Sequence, residues 1–208
     1  YGYKGPLTVV DNGIDLEMEN FGQILAFKDE SRRRLDVADG EMMLLFVGQH
    51  ILEKGVDVII RAVSLLKDLP VRMDFLGTGY AVDEMKNLIA SLGLTDRVRL
   101  HGVISDREEL KRYYAAADLF LFPSFYDNAP LVVREAAMMG TPSVLLHGAT
   151  AAEVITDGQN GFLAERTPES YAALVRELYS HPERIDIAAR GASTTLTRSW
   201  REVMEEVV

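Results

Sequence analysis

Asp127 and Glu135, with seven residues between them, are the acids of this chain whose spacing points most directly to chemistry. They lie in the run Pro123-Ser-Phe-Tyr-Asp-Asn-Ala-Pro-Leu-Val-Val-Arg-Glu-Ala-Ala-Met-Met-Gly-Thr-Pro142. The run reads as strand end, loop, helix, loop and strand. Asp118-Leu-Phe-Leu-Phe122 supplies the apolar strand. Asn128 can cap a helix, and Pro130 suits its first turn, where an N–H has no intrahelical partner. Leu131 to Met139 continues the helix until Gly140 stops it. Asp127 then stands on the loop at the strand's carboxyl end, and Glu135 about two turns into the helix. Free N–H groups and a partial positive charge at such a helix start suit a diphosphate. An acid one or two turns further in accepts hydrogen bonds from ribose hydroxyls. Alone, Asp127 would be a capping residue and Glu135 a helix-surface acid; the combination suits a sugar nucleotide.

The elements that must position these acids come from the rest of the 208 residues, enough for one substantial α/β domain. Hydrophobic residues make up 48% and charged residues 26%, the balance of a globular protein. The net charge of −10 argues against a nucleic-acid partner, which needs a basic footprint, but leaves room for one nucleotide in a local pocket. With no cysteine there is neither a disulfide framework nor a thiolate metal site. No apolar run approaches a membrane span or reads as a secretory leader, so a cytoplasmic location is expected. The chain opens on Tyr1, not Met, and is expected to be part of a longer polypeptide.

Residues 1–40 have an irregular pattern. A short strand into an Asn-Gly turn is expected over 9–15, and a short helix over Arg32 to Asp39. From Met42 onward strands alternate with helices. Strands are expected at Met42–Val47, Val71–Leu76, Val98–His101, 118–122, Ser143–Leu146 and Gly161–Ala164. Helices are expected at Val56–Leu69, Val82–Leu92, from a Ser105–Glu108 capping box to Ala116, briefly at Ala151–Ile155, and from a Thr167 cap with Pro168 to the end. This alternation implies βαβ units: a Rossmann-like parallel sheet with helices on both faces. Ligands of such sheets bind beyond the strands' carboxyl ends. Gly48, Gly77, Gly102, Ser124 and His147 mark that rim. Gly77-Thr-Gly79 lacks the third glycine of a dinucleotide loop and alone is a strand-to-helix turn. His50 and His147 share the rim position without a clear role, and His101 completes a strand.

Taken together, these motifs resemble the C-terminal domain of retaining GT-B glycosyltransferases of family 4, the group 1 type. Phe46-Val-Gly-Gln-His-Ile-Leu-Glu-Lys-Gly55 resembles the family's strand-Gly-Arg…Glu-Lys-Gly loop. The 118–142 run is similar to its Glu-x7-Glu block. Ala152-Glu-Val-Ile-Thr-Asp-Gly-Gln-Asn-Gly-Phe-Leu163, Asn12-Gly-Ile-Asp15 and Ser199-Trp200 match further segments in order. The resemblance implies one half of a two-domain enzyme, residues 1–40 including the junction to an N-terminal acceptor domain. It implies that Lys54 and the position of Gln49 meet the donor diphosphate, with the glycines Gly48 and Gly77 at the same rim. Glu135 would hold the ribose, and Asp127 would face the transferred sugar as the catalytic acid. Backbone around Asn128, Ala129, Pro130, Leu131 and Val132 would contact sugar and phosphate, and Val103 and Ile104 would line the base.

The implied donor is a UDP-hexose, with GDP-mannose as the alternative; the acceptor is a glycan or lipid. Peripheral membrane association of the full-length protein is left open. No Asp-x-Asp occurs, so neither metal nor other cofactor is expected, and no Gly-Lys-Ser/Thr loop supports an ATPase. Departures from the family pattern are Gln49 for Arg, Asp127 for Glu, and Ala129-Pro130 for Phe-Gly. A GT-B sugar-nucleotide epimerase and a non-catalytic sugar-nucleotide-binding module are the rival readings.

Overall fold

The computed structural model describes residue 13, residues 20–127 and residues 130–207. The strand and turn expected over 9–15 therefore lie, Gly13 apart, outside the described residues, as do Asn128 and Ala129. Among the described residues six strands form one parallel sheet: β1 (Met42–Val47), β2 (Val71–Leu76), β3 (Val98–Gly102), β4 (Leu119–Phe122), β5 (Ser143–Leu146) and β6 (Phe162–Ala164). Their order is β3-β2-β1-β4-β5-β6, so the chain winds outward in one direction from β1 and in the other from β4. The β1–β4 junction is the switch point, where two adjacent loops part and leave a crevice at the carboxyl ends.

Eight helices accompany the described sheet: α1 (Phe21–Arg34), α2 (Val56–Ser64), α3 (Val82–Ser91), α4 (Arg107–Ala116), α5 (Leu131–Met138), α6 (Pro168–Ser180), α7 (Pro182–Thr195) and α8 (Trp200–Val207). α2 packs on α3 and α6; α4 packs on α1 and α5. Between these two layers the central strands are closed to solvent. Met43, Leu44, Leu45 and Phe46 in β1 are all fully buried, as an apolar run without alternation requires.

Strands β1, β2 and β5 begin and end where the sequence places them. Several other expectations are corrected. α1 occupies Phe21–Arg34, earlier than the helix expected over 32–39. It buries only Ile24 and Ser31 and is tied down by ions: Lys28 and Arg32 both reach Asp118 at 2.9 Å. A helix anchored by charge shows little apolar periodicity. Asp118 is not in the strand but ahead of it, where its carboxylate also accepts from the Met43 N–H. α2 stops at Ser64, short of Leu69, and its last residues continue as turn. α4 is capped by Asp106, which accepts from the Glu108 and Glu109 N–H groups, and not by Ser105. The segment after β5 is a 3₁₀ turn, Thr150–Ala152, and no longer helix. α5 starts at Leu131 with Pro130, and not Asn128, in the cap position, two residues later than expected. Past Thr167, which caps α6 with Pro168 inside as expected, the chain is helical, divided into α6, α7 and α8.

Two charges lie inside β2, which is buried along its whole length. Arg72 Nε donates to Asp74 at 2.6 Å, and Arg72 Nη1 donates to the Leu35 and Asp36 carbonyls beyond α1. His101 Nε2 closes on the other oxygen of Asp74. Each buried charge thus has a partner, which burial demands.

Candidate functional site

At the switch point the loops after β1 and β4 are joined by the Lys54–Asp127 pair. β1 leads into Gly48 and exposed Gln49. The chain then makes a 3₁₀ turn, Leu52–Lys54, before α2. Gly77 must approach this loop closely: with φ +129, a Cβ built there would lie 2.0 Å from the Gly48 carbonyl oxygen. Only glycine fits that contact.

From this turn Lys54 extends to the loop after β4. Its Nζ donates to both carboxylate oxygens of Asp127, at 2.5 Å to Oδ2. The same ammonium sits 5.3 Å from the centre of the Phe122 ring. Both partners are partly buried, at 20% and 25% exposure, so the pair is neither fully solvated nor sealed. Phe125 and Tyr126, just before Asp127, point their rings outward.

Glu135 lies in the second turn of α5, where Tyr114 donates its hydroxyl to Oε2 at 2.8 Å. Burial, then the Glu135 charge and this bond, push the Tyr114 hydroxyl well above its ordinary pKa, so it stays a donor. No motif in the sequence singles out Tyr114; its partner lies 21 residues away on another helix.

Two cavities lie among the loops and helices of this face. Gly48, Gln49, Gly77, Val103 and Ile104 line one of about 380 Å³, so five predicted residues from three loops share a wall. The other, about 220 Å³, lies between α4 and α5; Leu131, Glu135, Tyr114, Lys111 and Trp200 line it. Leu110 belongs to both walls. Val132 packs its side chain against the core and has only backbone to offer. Of the rim histidines, His147 is exposed, whereas His50 is buried between Phe46 and Phe75. Its ring nitrogens make no hydrogen bond of good geometry, and burial lowers its pKa against a weaker pull from the Leu76 backbone. It is a packing residue.

The arrangement offers the Lys54 ammonium, two carboxylates and a helix start. A lysine supplies a point charge to a phosphate, and a carboxylate accepts from sugar hydroxyls. The fold is the Rossmann-like α/β unit of GT-B glycosyltransferase structures. It superposes on the Anabaena protein Alr3699/HepE, solved in complex with UDP and glucose, with a TM-score of 0.81 at 21% identity over 96% of this chain and 55% of that one. It also superposes on the C-terminal domain of the group 1 family protein LpcC from Francisella tularensis, with a TM-score of 0.74 at 21% identity over 88% of this chain and 96% of that one. Likeness at this identity establishes the fold.

Glycosyl transferases group 1 match residues 27–193. The chain is 32% identical to a D-inositol 3-phosphate glycosyltransferase of Geodermatophilus obscurus over 212 aligned positions, 96% of this chain and 46% of that protein. It is 31% identical to an uncharacterized glycosyltransferase of Methanocaldococcus jannaschii over 80% of this chain and 43% of that one. The chain belongs to the group 1 glycosyltransferase family. It spans about half the length of the curated relatives it matches.

Proposed function

We propose that this chain is the donor-binding, C-terminal domain of a retaining glycosyltransferase. It would hold a nucleotide diphosphate hexose, UDP-linked before GDP-linked, for transfer to a glycan or lipid-linked acceptor. The observation that carries the reading is the Lys54–Asp127 pair, which joins the loops after β1 and β4 at the switch point, with Gly48, Gln49 and Gly77 in the wall of one cavity and Glu135 in the wall of the other. In this reading the base lies along Val103 and Ile104, and Glu135 takes the ribose hydroxyls. The diphosphate takes over the Lys54 ammonium from Asp127, and the freed carboxylate turns to the hexose.

Departure of the nucleoside diphosphate places negative charge where Lys54 and the α5 start already point donors. Such preorganised groups stabilise a charge that develops only in the transition state. Without an Asp-x-Asp, this proposed site needs no divalent metal. With one carboxylate at the sugar and no second nucleophile, the acceptor attacks from the face that the diphosphate leaves.

Support for the donor class comes from the UDP and glucose in the HepE complex. Support for the domain assignment comes from relatives about twice as long and from the match to nearly all of the LpcC C-terminal domain. The acceptor domain is then contributed by sequence outside these residues, and the 208 residues alone bind donor without transferring sugar. No helix among the described residues is long and apolar enough to cross a membrane, in keeping with a proposed cytoplasmic site of action.

Calorimetric titration with UDP-, GDP- and ADP-sugars, with and without chelator, tests the reading. Binding tighter than about 1 mM that survives chelator is expected. No binding by any of them removes the donor assignment. A large gain with Mg²⁺ or Mn²⁺ removes its metal-free part, and efficient transfer by these residues alone removes the domain assignment.

A further inference from the structure

The ammonium of Lys54 is only as well placed as the turn that carries it. That turn, Leu52–Lys54, has no side-chain cap of its own and buries none of its residues. Two side chains from other loops hold it. Arg166, on the loop after β6, donates from Nη2 to the carbonyls of Leu52 at 3.1 Å and Glu53 at 3.0 Å. Tyr80, on the loop between β2 and α3, accepts from the Leu52 N–H at 3.2 Å and donates to the Glu53 carboxylate. This bond holds the Glu53 carboxyl below its ordinary range. On a third side, Gly55 lies so near Pro123 that a Cβ there would be 2.8 Å from the proline Cγ. The turn is therefore fixed between loops from both halves of the sheet. Arg166 and Tyr80 are themselves exposed, Tyr80 at 66%, so neither serves the core.

We propose that Arg166 and Tyr80 are positioning residues that fix the Leu52–Lys54 turn so that Lys54 Nζ meets a nucleoside diphosphate. The inference rests on the donor-site reading above. Arg166 clamps the turn through its carbonyls and Tyr80 through an N–H and a side chain, so the two act on different atoms of one element. Loss of either lets the turn shift, and the ammonium moves with it.

The test is titration of the 208-residue chain with UDP and uridine, and with GDP and guanosine. Arg166→Ala, Arg166→Lys, Tyr80→Phe, Lys54→Ala and the double variant Arg166→Ala/Lys54→Ala are compared with the parent. Arg166→Ala is expected to weaken the diphosphate about 3–10-fold and the nucleoside by no more than about twofold. Arg166→Lys recovers part of the loss, because an ammonium also donates to carbonyls. Tyr80→Phe, which removes only a hydroxyl, costs about two- to threefold. In the Lys54→Ala background, Arg166→Ala adds nothing, since the two act as one unit. A merely structural role would instead lower affinity for diphosphate and nucleoside alike. Equal loss of both ligands, or a full additive loss on top of Lys54→Ala, overturns the proposal. If Lys54→Ala is selective for the diphosphate and Arg166→Ala is not, this inference alone fails. If Lys54→Ala itself spares the diphosphate, the donor-site reading fails and takes the inference with it.

Discussion

Strand β4 has an aspartate near each end, each holding a lysine, and the two clusters are built differently. Ahead of the strand, Asp118 faces Lys28, Arg32 and the Met43 N–H, all at 2.9 Å. The cations are used up as well: Lys28 donates to the Ala117 carbonyl, and Arg32 to those of Ala116 and Glu41. Beyond the strand, Asp127 meets the single ammonium of Lys54 at the mouth of the crevice. The first cluster has its charges and lone pairs met from several directions, so a ligand has nothing to add. The second is a one-to-one pair that a diphosphate, bringing more negative charge than a carboxylate, is able to replace. The same ion-pair chemistry is thus structural at one end of a strand and exchangeable at the other.

The largest effect that separates the two ends should come from Asp118→Asn. It leaves two partly buried cations without a counter-charge, which costs about 3 kcal/mol and roughly 6–12 °C in thermal midpoint. UDP affinity, measured well below that midpoint, should stay within about twofold. An unchanged midpoint would erase the distinction. Acid should expose the same cluster. Burial pushes the Asp118 pKa up, but Lys28, Arg32 and the Met43 N–H together outweigh it, and the carboxyl titrates below its ordinary value. Its stabilisation is therefore complete above about pH 4, the unfolded carboxylate range, and is lost as pH falls through the lowered folded value. The thermal midpoint of Asp118→Asn should fall less steeply over that range than the parent's.

Lys54→Ala should invert the pattern. We expect UDP to weaken about 10–100-fold, as for loss of a charged hydrogen-bond partner, with uridine within about twofold. Stability should change by less than about 1 kcal/mol, because the pair is partly solvated. Glu135→Ala sharpens the comparison within the site: UDP and uridine should weaken by a similar factor, about tenfold, since both carry the ribose. The smallest effect is expected from Gln49→Arg, a gain of about two- to fivefold for UDP and none for uridine, from one added charge at an exposed rim position.

What the sequence discloses follows from how each element is held. β1 and β5 are apolar runs closed by glycine, proline or polar residues, and β2, despite Arg72 and Asp74, keeps apolar residues at its other positions between Pro70 and Gly77. α1 escapes the same logic because Lys28 and Arg32, rather than an apolar stripe, fasten it to Asp118. At the start of α4, Ser105 and Asp106 both suit a cap, and composition does not rank two neighbours; the fold selects Asp106. Around the site, Glu135 and Lys54 are legible through the motifs that contain them. The pairings are not: Tyr114 sits in an ordinary amphipathic helix, and Asp127, itself singled out by its motif, is 73 residues from Lys54. Only the winding of the sheet, which sets the β1 and β4 loops side by side, turns that separation into contact.

Trp200 opens α8 and forms part of the cavity wall that it shares with Glu135. It is the only tryptophan in the chain and is 46% exposed. The protein therefore carries its own optical reporter at the ribose end of the proposed site. Indole emission responds to solvent, so a ligand that dries this wall shifts the spectrum of a single fluorophore, with no competing tryptophan signal. Occupancy can then be followed in unlabelled protein, in milliseconds, and in variants too scarce for calorimetry.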